Sequence, residues 1–178
     1  AERFGESTAA DEINGWIDRT LVGVDRLWNP ELRAFCSLDL RSGRMAEAVT
    51  SGTLLALYAD AVSGDRRSHI LDHLESWLGQ VKFGVPSFDP GHSRFDSIRY
   101  WRGPVWLIVN RMIADGLIRA GREDLAERIR NDSRFLVEQA GFWEYFCPLT
   151  GQGCGGTDFS WTAAIWLDWA SPNAECTP

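Results

Sequence analysis

Apolar residues recur at helical spacing near the start of the chain. Between about residues 9 and 28 they lie three and four positions apart, at Ile13, Trp16, Ile17, Leu21, Val24 and Leu27. This pattern predicts an amphipathic helix with one apolar stripe and one polar face. Thr8 is the expected N-cap of this helix, with Asp11 and Glu12 in its first turn.

Two shorter elements follow the first helix, which Asn29-Pro30 ends. Residues 34–40 are expected to be extended and to close in a glycine-containing turn at 41–44. A second helix is predicted over residues 50–61, where small and apolar residues occupy most of the circumference. We expect other elements to surround such a helix.

The rest of the chain predicts four more helices and a long loop. The helices are expected over residues 64–79, 103–121, 123–140 and 160–170. The first and third are apolar on one face, whereas the second and fourth are apolar nearly all round. Pro104 takes the favoured first position of the second. The loop over residues 80–101 is rich in proline, glycine and aromatic residues, and its length suggests a function.

The six predicted helices therefore alternate between one apolar face and an apolar surface all round. A toroid of helical hairpins requires this alternation, because its inner helices are enclosed and its outer helices also meet water. The sequence predicts an all-α fold of three hairpins that form an arc, with short extended segments in the loops. We expect one partial toroid domain over residues 1–178.

Composition and charge exclude several partners. Charged residues make up 24% of the chain and hydrophobic residues 44%, which is typical of a folded domain. The formal net charge is -7 without a Lys- or Arg-rich segment, so we expect no nucleic acid partner. The chain contains no stretch of ~20 apolar residues, the length that crosses a bilayer, so we expect no membrane partner.

The cysteines and histidines predict neither a metal site nor a cofactor. Cysteines 36, 147, 154 and 176 are scattered and lack metal-ligand spacing. We expect free thiols in a reducing compartment and thus a cytoplasmic location, although Cys147 and Cys154 bracket a turn and a bridge between them stays open. His69, His73 and His92 are interpreted as surface residues.

Aromatic residues, including nine tryptophans, concentrate beside one carboxylate. The loops at 100–106 and 142–153 each lead into a helix that is apolar all round, and Glu144 lies in the second loop among aromatic residues. An acid flanked by apolar rings is a candidate for acid–base chemistry. The residues alone leave the alternative that Glu144 is a structural acid, paired with Arg102 or capping a helix.

Three motifs in these loops resemble the signatures of glycoside hydrolase family 63 and its mannosylglycerate and glucosylglycerate hydrolases. They are YWRGPVW at 100–106, FWEYFCPLTGQG at 142–153 and FSWTAA at 159–164. Weaker similarity covers FCSLDLRSGR at 35–44 and FDSIRYWRGP at 95–104. Together, in this order, the motifs are strongly specific for the family.

The resemblance implies an (α/α)6 toroid that hydrolyses an α-glucoside or α-mannoside, including glycosylglycerates, with inversion. It implies that Glu144 is the general base and that this chain is the carboxy-terminal half of the catalytic domain. The other residues that it places at the sugar are Tyr100, Trp101, Arg102, Trp106, Tyr145, Asp158 and Trp161. It implies no metal or cofactor.

One element of the family pattern has no counterpart here. The general acid of the family is an aspartate in the amino-terminal half, and the nearest loop acids, Asp89 and Asp96, lack its surroundings. One carboxylate cannot protonate the leaving group and deprotonate water in the same inverting step. The alternatives are a non-catalytic carbohydrate-binding module, or a truncated homologue whose open ends are covered by a second copy or by an amino-terminal half.

Overall fold

The computed structural model describes residues 7–174, which form an all-α fold with three small β-hairpins. A 3-10 turn, Ser51–Thr53, precedes the second helix, and a π-helical turn, Trp166–Ala170, continues the last. The helices are α1 (Ser7–Asp25), α2 (Leu55–Tyr58), α3 (Gly64–Gln80), α4 (Leu107–Arg119), α5 (Glu123–Ala140) and α6 (Ser160–Ile165). Cys176 lies outside the described residues.

Each β-hairpin consists of two antiparallel strands of two residues. The pairs are β1 (Trp28–Asn29) with β2 (Ala34–Phe35), β3 (Leu38–Asp39) with β4 (Arg44–Met45), and β5 (Tyr145–Phe146) with β6 (Gly153–Cys154). The second hairpin has the turn predicted at 41–44, where Gly43 has a φ of 68°. These hairpins confirm the short extended segments expected in the loops.

Helix α4 lies at the centre of the core and packs against α2, α5 and α6. Its Ile113 and Leu117 are completely buried, as are Ile129 and Leu136 of α5. The prediction of a buried helix therefore holds for one part of α4, whereas Ile118 near its end is 51% exposed. Where α4 meets α2, Gly116 lies so close to the neighbouring chain that an added Cβ would be 2.6 Å from the backbone nitrogen of Tyr58.

We expect Gly116→Ala to lower the free energy of unfolding by about 1–3 kcal/mol, because α2 and α4 must separate to admit a methyl group. The matched control is Gly79→Ala in α3, an exposed helical site where an added Cβ meets no atom of the described residues within 4 Å. The control should stabilise the protein by about 0.5–1 kcal/mol, because alanine favours a helix more than glycine does. Urea unfolding measures both, and equal effects would contradict the close approach at Gly116.

Helices α3 and α5 follow their sequence predictions closely. Helix α5 begins at Glu123 and ends at Ala140, followed by Gly141 with a φ of 89°. Helix α3 begins at Gly64 and ends at Gln80, and its apolar stripe is buried at Ile70, Leu74, Trp77 and Leu78. Both helices have local boundary signals and one buried face.

The start of α4 was predicted wrongly at Pro104. Residues 104–106 lie outside the helix, which begins at Leu107. The N–H of Val105 donates to the carbonyl of Phe146 at 2.8 Å, and the N–H of Phe146 donates to the carbonyl of Val105 at 3.0 Å. This pairing holds Val105 in an extended bridge that also includes Pro86, so a tertiary contact overrides the proline signal.

The first two helices also differ from their predictions. Helix α1 begins at Ser7, so Thr8 is inside the helix rather than its N-cap, and Trp28 belongs to β1. The predicted helix over residues 50–61 is reduced to the 3-10 turn and the four residues of α2. Thr50 caps the 3-10 turn by accepting a hydrogen bond from the N–H of Gly52.

The last predicted helix, over residues 160–170, is present but only partly enclosed. Trp169 and Ala170 are buried, whereas Trp161 is 57% exposed and Leu167 is 74% exposed.

Of the helices in residues 7–174, none is long and apolar enough to span a membrane.

Candidate active site

Hydrogen bonds hold both carboxylate oxygens of Glu144. The Tyr100 hydroxyl donates to Oε1 at 2.8 Å, and the N–H of Gly156 donates to Oε2 at 3.2 Å. The backbone N–H of Glu144 donates in turn to the carbonyl of Gly156 at 2.9 Å. These hydrogen bonds fix the orientation of the carboxylate. Because the side chain is only half-buried, solvent can still reach it.

Gly155 leaves room for this carboxylate. Its φ is 78°, a left-handed conformation that favours glycine, and an added Cβ would lie 2.5 Å from Oε2 of Glu144. At Gly156 an added Cβ would meet no atom of the described residues within 4 Å. The two glycines therefore have different roles: Gly155 makes space, and Gly156 supplies an N–H.

Four aromatic rings form one cluster beside Glu144, consisting of Tyr100, Trp101, Trp106 and Tyr145. Trp101 stacks on Trp106 with ring centroids 4.3 Å apart, and Trp106 stacks on Tyr145 at 5.2 Å. Tyr100 meets Trp106 edge-on at 5.0 Å. Tyr100 and Trp101 remain nearly half exposed, so the cluster offers an open aromatic surface next to a carboxylate.

Tertiary contacts bring the two loops of the site together. The bridge between Val105 and Phe146 joins the segment before α4 to strand β5, which directly follows Glu144. The indole Nε1 of Trp106 donates to the carbonyl of Tyr100 at 3.0 Å. Tyr100 has a φ of 22°, which is strained for a residue with a large side chain. Such strain often marks functional positions.

The hydrogen bond to Glu144 raises the pKa of Tyr100, and burial and the carboxylate charge act in the same direction. We therefore expect Glu144→Gln to move the pKa of Tyr100 back towards its ordinary value of 10.0. Absorbance titration of the phenolate measures this shift. The Tyr100→Phe variant lacks the titration of Tyr100 and so shows which of the three tyrosines of the chain has shifted. An unchanged tyrosine titration in Glu144→Gln would contradict the contact.

The same pKa shift predicts how this contact affects stability at high pH. Because the folded-state pKa of Tyr100 is raised, its hydrogen bond to Glu144 contributes fully to the free energy of unfolding at pH values below the pKa of this tyrosine in the unfolded chain. It is lost as the pH rises through the folded-state pKa. Tyr100→Phe should therefore reduce the loss of stability above pH ~10, which thermal unfolding at several pH values measures.

Arg102 does not pair with Glu144, in contrast to the structural alternative that the sequence left open. Within residues 7–174 no ion pair or hydrogen bond joins the two side chains. Arg102 is half-buried, and its Nε is enclosed without a hydrogen-bond partner in the described part of the chain. The Glu144 carboxylate is instead held by neutral donors, Tyr100 and Gly156.

Asp158 and Trp161 lie on the segment that follows the Gly155–Gly156 loop. Asp158 is exposed and has a φ of 54°. Trp161 is exposed and meets Phe159 edge-on at 5.7 Å. The Thr162 hydroxyl donates to the carbonyl of Trp143 at 2.6 Å, which ties the start of α6 to the residue before Glu144. The structure thus places these two side chains beside the loop but outside the aromatic cluster.

Sequence reasoning missed the two glycines that fit around Glu144. The signal was present in the glycine-rich string at 151–156, but a turn alone would explain it.

The Cys147 and Cys154 thiols of the same hairpin are unbridged, and Cys36 is also free. Residues 7–174 contain no group of three or more His, Cys, Asp or Glu side chains that could hold a metal ion.

The site at Glu144 is reachable from solvent, since Glu144 is only half-buried and Tyr100 and Trp101 are nearly half exposed. A cleft of about 370 Å³ lies elsewhere, between α4, α5 and the π-helical turn, and Glu144 does not line it. Arg111 and Trp169 are among the residues that line this cleft. Arg111 forms ion pairs with Asp115 and Asp168. Glu144, not this cleft, is the candidate for acid–base chemistry, because such chemistry requires a reachable carboxylate with a substrate surface beside it.

An oriented carboxylate beside exposed aromatic rings, on an all-α fold, has the features of a glycoside hydrolase, in which acids act next to rings that bind the sugar. The family model described as "Mannosylglycerate hydrolase MGH1-like glycoside hydrolase domain" matches residues 1–162. The chain belongs to this family. The resemblance seen in the three motifs is confirmed.

Three relatives illustrate the match. The chain is 46% identical to "Mannosylglycerate hydrolase MGH1" of Selaginella moellendorffii, covering 93% of this chain and 34% of the relative. It is 42% identical to "Mannosylglycerate hydrolase" of Thermus thermophilus, covering 89% and 38%. The crystal structure of a GH63 mannosylglycerate hydrolase from Thermus thermophilus in complex with glucose superposes with a TM-score of 0.85 and 42% identity, covering 88% of this chain and 40% of that one. The chain therefore spans little more than a third of these relatives.

Proposed function

We propose that the chain is part of the catalytic domain of an inverting α-glycosidase that hydrolyses an α-mannoside or α-glucoside of glycerate, with Glu144 as general base. The observation that carries this proposal is the Glu144 carboxylate, held through both oxygens beside an open aromatic surface. The relatives that are mannosylglycerate hydrolases support a glycosylglycerate substrate.

In the proposed reaction, Glu144 takes a proton from a water molecule, which attacks the anomeric carbon opposite the leaving group. A second carboxylic acid protonates the departing glycerate oxygen, and the two carboxyl groups stand roughly 6.5–9.5 Å apart to admit the water. Asp89 and Asp96 each accept a hydrogen bond from a backbone N–H two residues on, which suits turn formation. We therefore assign the general acid to a segment outside residues 1–178.

The aromatic cluster would hold the sugar through its apolar C–H faces. Trp101 and Tyr100 present the most exposed rings of the cluster, and the less exposed rings of Trp106 and Tyr145 pack against them. Arg102, Asp158 and Trp161 are the proposed outer contacts: Arg102 adjoins Trp101 in the chain, and Asp158 and Trp161 follow the loop that donates to Glu144. The half-buried cation of Arg102 suits the carboxylate of glycerate.

The architecture is part of the same proposal. We propose that residues 1–178 form one partial domain, three hairpins of an (α/α)6 toroid, and that the remainder of the relatives' length corresponds to the other hairpins. The central position of α4, enclosed by α2, α5 and α6, supports an inner ring covered by outer helices.

The stereochemistry of hydrolysis tests this function. The full-length protein that carries this chain should release mannose or glucose from the α-glycosylglycerate with the β-anomer appearing first, as followed by proton NMR. The 178-residue chain alone should release no sugar, because the proposed general acid lies outside it. First appearance of the α-anomer would reject the inverting mechanism, and absence of hydrolysis by the full-length protein would reject the enzyme.

A non-catalytic sugar-binding module is the second candidate, favoured by the openness of the aromatic surface. Titration of the chain with methyl α-mannoside and with glycerate separates the two functions when combined with the release assay. Binding by the full-length protein without hydrolysis would favour the module.

A further inference from the structure

Two thiols lie on the hairpin that carries the candidate site. Strand β5 directly follows Glu144 and strand β6 directly precedes Gly155, so this hairpin connects the carboxylate with the loop that fits around it. Cys147 follows β5 and Cys154 ends β6, and both thiols are free. The proposed reaction uses neither of them.

The pairing of the strands places the two thiols on one face of the hairpin. Tyr145 is the partner of Cys154 across the hairpin. The N–H of Cys147 donates to the carbonyl of Gln152 at 2.9 Å, so the antiparallel pairing continues one residue beyond β5. Side chains two positions apart on a strand point to the same face. Cys147 therefore shares a face with Tyr145 and is the diagonal neighbour of Cys154.

A diagonal pair of this kind lies just beyond the distance that a disulfide spans. Diagonal neighbours on one face of a hairpin are about 7–8 Å apart, whereas a disulfide joins Cα atoms that are about 4.4–6.8 Å apart. The backbone at Cys147 and Cys154 must therefore close by about 1 Å before a bond forms between the two sulfur atoms. The bond is within reach, but it requires the hairpin to move.

The two thiols differ in exposure and in acidity. Cys154 is half-buried, so a small molecule can reach it, whereas Cys147 is buried. Burial raises the pKa of Cys154, and the charge of Cys147 acts in the same direction. Burial also acts to raise the pKa of Cys147, but hydrogen bonds with Thr150, Ser97 and the backbone at 149–150 outweigh it and lower this pKa below 9.0. Cys154 is thus the accessible thiol, and Cys147 is the one that ionises more readily.

A bond between these thiols would disturb the residues that hold Glu144. Gly155 directly follows Cys154, and an added Cβ at Gly155 would lie 2.5 Å from Oε2 of Glu144. Gly156 donates to the same oxygen at 3.2 Å. A shift of β6 by about 1 Å therefore pushes the backbone towards the carboxylate or breaks this hydrogen bond, and misplacement of that size can lower a rate by ~10²-fold.

We propose that Cys147 and Cys154 are a reversible oxidation site that reacts with low-molecular-weight disulfides and thereby lowers the activity of the Glu144 site. In the first step the thiolate of Cys154 attacks the small disulfide, bonds to one of its sulfur atoms and releases the other as a thiolate. The thiolate of Cys147 then attacks the sulfur of Cys154 and expels the second small thiolate. The two cysteines lose two electrons and two protons, and the small disulfide leaves as two thiols.

Mass spectrometry tests whether the bond forms. The reduced full-length protein is treated with oxidised glutathione, its free thiols are alkylated, and cleavage after glutamate releases residues 145–175, which contain Cys147 and Cys154 but not Cys176. This peptide should lack two hydrogen atoms and resist alkylation until dithiothreitol is added. Cys147→Ser should instead retain glutathione on Cys154. Alkylation of both thiols after the treatment, or lasting glutathione on Cys154 in the parent protein, would overturn the proposal.

Activity of the same samples tests the effect on the site. Oxidation should lower the turnover of the α-glycosylglycerate by at least ~10-fold, and dithiothreitol should restore it. Cys154→Ser and Cys154→Ala should each keep turnover within a few-fold of the reduced parent and lose none of it on treatment, because one thiol cannot close the bond. Cys36→Ser is the matched control, since Cys36 is a buried thiol of a different hairpin, and it should stay as sensitive as the parent. Equal turnover of the bridged and reduced proteins would reject the effect.

The outcomes are distinguishable from failure of the proposed function, on which the predicted loss of activity rests. A protein that forms the bond but hydrolyses no glycosylglycerate in either state would reject the proposed function. The amide resonance of Gly156, in protein with isotope-labelled glycine and assigned by Gly156→Ala, then reports on the site. It should shift on oxidation, because its hydrogen bond to Glu144 changes. An unchanged resonance would show that the bond does not reach the carboxylate and would contradict the inference.

Discussion

Replacing Glu144 with glutamine is expected to lower the turnover number of the full-length protein by about 10²–10⁴-fold, the range contributed by a general base. Glutamine preserves the size of the side chain but cannot take a proton from water. The change removes the carboxylate that Tyr100 and Gly156 hold in place. Steady-state hydrolysis of the α-glycosylglycerate measures the effect.

A matched substitution shows whether this loss belongs to the site. Glu138→Gln removes an exposed carboxylate from α5, away from the aromatic cluster, and should leave turnover unchanged. Both variants should keep the thermal midpoint of the parent protein within a few degrees. A fully active Glu144→Gln protein would remove Glu144 from the mechanism.

The second large effect is expected at Gly155. Gly155→Ala places a methyl group 2.5 Å from Oε2 of Glu144 and strains a backbone with a φ of 78°. The carboxylate must therefore move, and misplacement by about 1 Å can cost ~10²-fold in rate. We expect kcat to fall by at least ~10-fold, with the far-ultraviolet circular dichroism of the protein unchanged.

Gly156→Ala is the internal control for this prediction. It keeps the N–H that donates to Oε2, and its methyl group meets no described atom within 4 Å. Its kcat should stay within a few-fold of the parent value. If the two alanine variants lose activity equally, the loop is sensitive as a whole and the specific fit of Gly155 around the carboxylate is wrong.

Elements with strong local signals were predictable from the sequence. Helix α5 has acidic residues in its first turn, a regular apolar stripe, and Gly141 after its last residue, and the prediction matched both of its ends. Helix α4 had an equally clear signal in Pro104, which was wrong because Val105 pairs with Phe146. A proline marks a permitted helix start, whereas a long-range backbone pairing decides whether the start is used.

The candidate site was predictable only in part. The concentration of aromatic residues around Glu144, together with the family motifs, singled out this residue. The hydrogen bond from Tyr100 was not predictable, because 44 residues separate the two side chains. The fit of Gly155 was hidden as well, since a glycine in a turn has many explanations until its neighbours are known.

The sequence by itself determined the helical class and the bounds of α3 and α5, and it singled out Glu144 and its aromatic neighbours as the candidate site. Periodicity, caps and residue type act over a few neighbouring residues and are readable one segment at a time. The tertiary structure alone decided that Val105 is extended and that Tyr100 and Gly156 orient the carboxylate. Each of these depends on packing between distant segments, which local patterns do not encode.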